Sequence, residues 1–315
     1  MSGGTTKGVS DPFDVNPDGA WAFERYESVR GRLPSADFAG VVTRHAPDLA
    51  AIAEHYDAFV LDGFGVLNVG LTAIPGAAAR MDELAAMGKR LVVLTNGATQ
   101  PLAAAAAKYE RMGFRFTPDS IVSSRAAAAS ALERHAPGAV LWGVAGSASA
   151  TMDGIAAATV LLDDDPATYA LADAFLLLSA TEWTPRRHAL LAEALHERRR
   201  PVVCANPDVV APFVDGFSLE PGHFAHDLAD RGLADPVHYG KPFPLAYEMA
   251  LALLPGIDRA RVAMVGDTLH TDVLGGRAMG MGTVLVAGHG LFRGHDPMGF
   301  AEGSGIRPDW VVGTT

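Results

Sequence analysis

Residues 57–70 read DAFVLDGFGVLNVG, and the first half of this segment decides the fold. The four apolar residues AFVL predict a short buried strand, and Asp62 stands where that strand ends. Similar runs of four or five apolar residues recur along the chain, separated by amphipathic helical stretches such as QPLAAAAAKYERMG. This alternation is typical of βαβ units, and it predicts an α/β fold with a parallel sheet.

The same alternation divides the chain into domains. Residues 1–38 are rich in Gly, Pro and polar residues around one short helical stretch, and we interpret them as an N-terminal extension. A strand–helix pattern then runs to residue 137, a second pattern begins near AVLWGVAG, and the first resumes with GKPFPLAYEMALALL. We therefore predict a Rossmann-like core domain of residues 39–137 and 207–315, interrupted by an inserted α/β cap domain of residues 138–206.

Composition excludes several classes of function. Hydrophobic residues make up 49% of the 315 positions, which is ample for a large core. The net charge of −11 argues against binding to the phosphate backbone of nucleic acids. No apolar run reaches the roughly 18 residues that span a membrane, and the opening MSGGTTKGVSDPFD lacks the apolar segment of a secretory signal. We expect a cytoplasmic protein that binds neither nucleic acids nor membranes.

Polar residues follow four of the predicted strands or lie in the loops beside them. Asp62 follows AFVL, Thr95 and Asn96 follow LVVL, Lys241 lies in HYGKP, and Asp267 follows VAMVG. Functional residues of open α/β sheets gather at the carboxyl ends of the strands. A single aspartate at such a position is usually a turn or cap residue, but these four positions together form a chemical set.

That set resembles the four motifs of the haloacid dehalogenase superfamily of phosphohydrolases, over roughly residues 40–315. The matching segments are VLDGFGVL, VVLTNG, YGKP and VGDTLHTDV. The position of the insert, between the second and third motifs, resembles the class IIA subgroup, which includes p-nitrophenyl phosphatase-like proteins. The Asn-Pro-Asp signature found in that subgroup stands here at Asn206, Pro207 and Asp208.

The resemblance implies a role for each motif. Asp62 would be the nucleophile that forms an aspartyl phosphate, and Lys241 would offset the charge repulsion as it attacks. Mg²⁺ would be the cofactor, held by Asp62, Asp267 and the backbone carbonyl of Phe64, with Asp272 orienting metal-bound waters or Lys241. The residues expected to hold the phosphoryl group or the substrate are Gly63, Phe64, Thr95, Asn96, Asn206, Asp208 and Lys241.

Phe64 departs from the family pattern, which has an aspartate there that protonates the leaving oxygen. Three interpretations follow. The substrate has a good leaving group that needs no proton; another group, such as a cap residue, His270 or His289, supplies the acid; or the protein is a weak or inactive relative that binds phosphorylated ligands. An aromatic residue after the nucleophile also resembles the dehalogenase branch, but Asp267, Asp272 and the α/β insert argue against that alternative.

We therefore predict an enzyme: a Mg²⁺-dependent phosphoric monoester hydrolase that acts through Asp62 on a small phosphorylated metabolite with a good leaving group. The resemblance also makes a homodimer formed through the cap an expected assembly.

Overall fold

The computed structural model describes residues 11–315, which form helices and strands in the alternation that the sequence predicts. The strands are β1 Arg44–Ala46, β2 Ala58–Leu61, β3 Asn68–Val69, β4 Thr72–Ala73, β5 Arg90–Thr95, β6 Ile121–Ser123, β7 Leu141–Ala145, β8 Ala158–Leu161, β9 Ala174–Leu177, β10 Val202–Cys204, β11 Val210–Phe213, β12 Gly216–Leu219, β13 Val237–His238, β14 Val262–Gly266, β15 Gly282–Val286 and β16 Trp310–Val312. The helices are α1 Gly19–Ser28, α2 Ala77–Ala86, α3 Leu102–Arg111, α4 Ser124–Ala129, α5 Leu132–His135, α6 Pro166–Leu171, α7 Pro185–Glu197, α8 Pro221–Asp230, α9 Pro244–Ala252, α10 Leu274–Ala278 and α11 Pro297–Ser304.

The larger sheet has seven strands in the order β1-β16-β15-β14-β2-β5-β6, and every neighbouring pair is parallel. All residues of its central strands β2 and β14 are buried, as expected for a parallel sheet covered on both faces. Two apolar clusters cover the faces; α2 and α3 contribute to one of them and α9 to the other. The predicted α/β fold with a parallel core sheet is confirmed.

The inserted segment forms a second parallel sheet, with strand order β13-β10-β9-β7-β8. Its outermost strand, β13, pairs with β10, and residues of α8 pack in the same apolar cluster as α6 and α7. Both α8 and β13 lie after residue 206, in the part of the chain that the sequence placed in the core. We propose that the cap ends after His238, because hydrogen bonding and packing join these residues to the second sheet.

The described part of the N-terminal segment packs against both modules. In α1, capped by Asp18, the apolar residues join the cluster that contains the loop after β14. On the other side, Arg25 and Arg32 form ion pairs of 2.7 and 2.6 Å with Asp230 at the end of α8. The predicted short helix is therefore present, whereas residues 1–10 of the predicted extension lie outside the described range.

Two β-hairpins stand beside the carboxyl edge of the core sheet. One is formed by β3 and β4, and the other by β11 and β12. They meet where Gly70 donates a backbone hydrogen bond of 3.3 Å to the carbonyl of Pro212. Within residues 11–315, no helix combines the length and apolarity required to cross a bilayer.

Candidate active site

Three aspartates converge at the carboxyl edge of the core sheet. Asp62 follows β2 and Asp267 follows β14, and these two strands are hydrogen-bonded neighbours in which Leu61 is paired with Val265. Asp272 lies in a π-helical turn just after Asp267. Each of the three side chains offers an oxygen within 4.8 Å of the others. The structure therefore brings together the aspartates that the sequence assigned to a metal site.

Lys241 lies between two of these carboxylates. Its Nζ is 2.6 Å from Oδ1 of Asp62 and 2.7 Å from Oδ1 of Asp272, and the side chain is 1% exposed. Burial alone would lower the pKa of Lys241, but the charges of Asp272 and Asp62 outweigh that effect and raise it. The ammonium group therefore stays charged and touches both neighbouring acids.

The Asp267 carboxylate is held in a tight cradle. The Leu291 backbone N–H donates to Oδ2 at 2.8 Å, and the Thr268 hydroxyl donates to Oδ1 at 2.8 Å. A Cβ at Gly65 or Gly290 would collide with this carboxylate, so both positions require glycine. Gly290 and Leu291 belong to the segment VAGHGLF, which begins at the last residue of β15. The glycines of this segment are the sequence feature that indicates this side of the cradle.

The site contains more carboxyl groups than cations. Asp62, Asp208, Asp267 and Asp272 are grouped around the single ammonium of Lys241. Burial raises the pKa of Asp62 to about 6 despite Lys241, and burial together with Asp62 and Asp272 raises that of Asp267 to about 8. Buried, converging carboxylate oxygens are the donor set that a hard divalent cation prefers, so these residues fit Mg²⁺.

Thr95 and Asn96 lie at the end of β5, beside β2. The Thr95 hydroxyl accepts a hydrogen bond from the Gly97 N–H at 3.1 Å. The Asn96 side chain fixes the third motif, since its Oδ1 accepts from the Lys241 N–H at 2.7 Å and its Nδ2 donates to the Lys241 carbonyl at 3.0 Å. Asn96, in the second motif, therefore holds the backbone of Lys241 in place. The sequence of the second motif did not indicate this role.

The Asn-Pro-Asp signature forms a turn between the two modules. Asn206 accepts from the Asp208 N–H at 3.0 Å and donates to Glu220 at 3.0 Å, so both of its side-chain polar atoms hold the turn. Asp208 accepts a 2.8 Å hydrogen bond from Asn96 and lines a small cavity together with Asp62 and Asp267. Two residues of this signature were predicted to contact the substrate. Asp208 faces the site, whereas the Asn206 side chain stabilises the turn.

Phe64 is half-buried, and its ring lies beside Lys108, a residue that no sequence motif indicated. The Nζ of Lys108, on α3, is 4.5 Å from the ring centroid and 3.5 Å from Oδ1 of Asn68. Burial lowers the pKa of Lys108 to about 8, opposed by the charge of Asp62. In the sequence, Lys108 looks like an ordinary surface residue of an amphipathic helix, so its position depends on the tertiary fold.

The two histidines considered as alternative acids have partners of their own. His270 stacks on Tyr26 at 5.0 Å and its Nε2 is 2.5 Å from Glu27, both on α1. His289 lies 3.0 Å from the hydroxyl of Thr314. His270 therefore packs against α1, and His289 contacts the C-terminal end of the chain.

The parallel core sheet, the inserted α/β module and the carboxylate–lysine cluster define a two-module α/β hydrolase. Residues 59–153 match a family model described as haloacid dehalogenase-like hydrolase, and residues 238–314 match a second model of the HAD-hydrolase-like type. The chain belongs to the haloacid dehalogenase superfamily of hydrolases, as the four motifs predicted.

Relatives and solved structures agree with this family. An acid sugar phosphatase of Staphylococcus aureus is 28% identical over 233 residues, which cover 74% of this chain and 87% of the relative. A possible sugar phosphatase from Cytophaga hutchinsonii has a TM-score of 0.77 at 24% identity, covering 87% and 98% of the two chains. A p-nitrophenyl phosphatase from Archaeoglobus fulgidus has a TM-score of 0.66 at 25% identity, covering 82% and 96%.

Proposed function

We propose that this protein is a Mg²⁺-dependent phosphoric monoester hydrolase that acts through an aspartyl phosphate on Asp62. The observation that carries this proposal is the position of Asp62, which touches Lys241 and lies within 4.8 Å of Asp267 and Asp272. A carboxylate in a purely structural role would not need a buried ammonium and two further acids around it. The phosphatase relatives support the same activity.

The Asp62 carboxylate is poised by two donors. The Gly63 N–H at 2.6 Å and the Lys241 ammonium at 2.6 Å both bind its Oδ1. In the proposed reaction an Asp62 oxygen forms a bond to phosphorus, and the leaving oxygen departs with the electron pair of the broken P–O bond. Water then attacks the phosphorus and loses a proton to solvent. The bond between phosphorus and the Asp62 oxygen breaks, which releases inorganic phosphate and the free carboxylate.

The remaining site residues hold the phosphoryl group. Mg²⁺, when bound by Asp62, Asp267 and the Phe64 carbonyl, neutralises the repulsion between substrate and nucleophile. Asp272 keeps Lys241 in place, and Lys241 offsets the charge that builds up as the two anions approach. The residues that we assign to the phosphoryl oxygens are Thr95 and the N–H groups of Gly63, Phe64 and Asn96.

The substrate that fits this site is a small phosphorylated metabolite with a good leaving group. Phe64 cannot donate a proton, so esters whose leaving oxygen is stable as an anion should react faster than simple alkyl esters. Phe64 also motivates a second candidate function, a protein that binds phosphorylated ligands without turnover. A dehalogenase is less consistent with the site, because halide release needs no metal-binding carboxylates.

One assay separates the two candidates. Phosphate release is measured from p-nitrophenyl phosphate and acetyl phosphate, with Mg²⁺ or with EDTA, for the wild type, Asp62→Asn and the exposed control Asp119→Asn. Turnover that requires Mg²⁺ and is lost only in Asp62→Asn supports the hydrolase. Binding of phosphate esters by the wild type without turnover supports the second function, and equal turnover in EDTA contradicts the proposed use of the metal.

A further inference from the structure

A cavity of about 520 Å³ opens beside Phe64, and one of its lining residues, Thr99, donates a hydrogen bond of 3.0 Å to Ser179 of the cap. It lies between α3, the 97–100 loop and the tip of the β3–β4 hairpin, at Leu71. Its volume is in the range of small-molecule sites. Most of its surface is apolar, from residues including Phe64, Leu71 and Ala104, while two cationic residues of α3, Lys108 and Arg111, also line it.

This cavity adjoins the phosphoryl site. Phe64 lines both the large cavity and the small one that contains Asp62 and Asp267. Thr95, which we assign to the phosphoryl oxygens, also lines the large cavity. A phosphate ester whose phosphorus lies at Asp62 can therefore extend its leaving group past the Phe64 ring into this space.

Lys108 places in the cavity an ammonium group that no nearby carboxylate of residues 11–315 neutralises. Among the described residues, no carboxylate lies within 4.0 Å of its ammonium, whose nearest polar partner is Oδ1 of Asn68 at 3.5 Å. The Phe64 ring, 4.5 Å away, is a weak substitute for a counter-ion. Partial burial of an ammonium without an anion is costly, and a bound carboxylate would remove that cost.

We propose that this cavity is the leaving-group subsite and that Lys108 selects a phosphate monoester whose leaving group carries a carboxylate on a flat apolar frame. This inference rests on the proposed hydrolase. The largely apolar lining fits an aryl or enol skeleton, which is also the kind of leaving group that needs no proton at Phe64. One inner ammonium suits a carboxylate better than a second phosphate dianion, which usually requires several N–H donors.

The test compares 4-carboxyphenyl phosphate with its neutral isostere 4-carbamoylphenyl phosphate at pH 7 with Mg²⁺. A charge-assisted contact predicts that the wild type prefers the carboxylate in kcat/KM by about tenfold or more. Lys108→Met, which keeps the length of the side chain, should abolish the preference, and Lys108→Arg should retain part of it. Arg115→Met is the matched control, because Arg115 is an exposed cation four residues after Arg111 and outside the cavity lining.

A binding measurement keeps this inference separate from the proposed function. Calorimetric titration with 4-hydroxybenzoate and 4-hydroxybenzamide should show carboxylate-dependent binding that Lys108→Met loses and Arg115→Met keeps. Phosphate release without any discrimination by Lys108 overturns the subsite and leaves the hydrolase intact. No phosphate release, together with Lys108-dependent binding of 4-hydroxybenzoate, overturns the hydrolase and supports the cavity as a carboxylate-binding site. A stronger preference for 1,4-phenylene bisphosphate would show that a second phosphate, not a carboxylate, is recognised.

Discussion

Phe64→Asp restores the acid that the family pattern has at this position, and Lys108 determines how much it can achieve. A general acid is worth about 10²–10⁴ in rate on esters with poor leaving groups. The new carboxylate would, however, replace a ring whose centroid is 4.5 Å from the Lys108 ammonium. At that separation and an effective dielectric constant of about 20, the attraction is about 3–4 kcal/mol, which lowers the pKa of the acid by up to about 2–3 units.

Because this attraction keeps the new acid ionised, the single variant should gain no more than about tenfold on glycerol 2-phosphate, which has a poor leaving group. The double variant Phe64→Asp/Lys108→Met should gain about 10²-fold or more, since its carboxylate can bind a proton again. Neither variant should accelerate p-nitrophenyl phosphate. Steady-state phosphate release is measured for the wild type, the two single variants and the double variant. The four rates give the coupling energy between positions 64 and 108. Full rescue by Phe64→Asp alone would refute the reasoning, as would equal rates for the single and double variants.

Three further predictions concern the charges of the site and the cap. Lys241→Met should lower the free energy of unfolding by about 3–5 kcal/mol, because it leaves Asp62 and Asp272 buried without their cation; urea titration with EDTA measures this, and Mg²⁺ should recover part of the loss. Asp267→Asn should weaken Mg²⁺ binding at least tenfold by calorimetry, whereas Asp119→Asn should leave it unchanged; equal affinity in both would place the ion elsewhere. Burial lowers the pKa of His226 to about 2, helped by His238, and its ring nitrogens lack hydrogen-bond partners within the described chain. The unfolded state therefore takes up a proton as the pH falls below about 6.5, and stability falls by up to about 1.4 kcal/mol per pH unit for this group. His226→Leu should flatten the decline in urea midpoint between pH 6.5 and 5, and an unaltered slope would contradict the assignment.

The sequence was informative where the fold depends on local pattern. The run AFVL is the observed strand β2, and the predicted strands at LVVL and VAMVG are present as β5 and β14. Parallel strands place their carboxyl ends at one edge of a sheet, so Asp62, Thr95 and Asp267 were expected at the same edge. Their close approach depends on the strand order β14-β2-β5, which the sequence did not predict.

The features that the sequence did not predict depend on contacts between distant segments. Strand β1 has two exposed residues and no apolar run, and it is a strand only because β16 pairs with it. Strand β13 has two residues, too few to produce a periodic signal, although its pairing with β10 extends the cap sheet to residue 238. The segment RAAAASALERH, residues 125–135, contains no glycine or proline, yet it is divided between α4 and α5 around Ser130 and Ala131.

Phe64 and the Lys108 ammonium beside it together determine the electrostatics of this side of the site. An aspartate at position 64 would add a further carboxylate to a site that already groups four around Lys241, and it would also be the natural counter-ion of Lys108. With phenylalanine there, the acid–base group is lost, but the Lys108 ammonium has only a ring face and an amide oxygen beside it. In the proposed hydrolase, Phe64 in place of the family aspartate therefore exchanges a proton donor for the Lys108 ammonium, which can bind an anionic leaving group. An enzyme with that exchange gains most from substrates whose leaving group is both acidic enough to depart without a proton and negatively charged enough to bind Lys108.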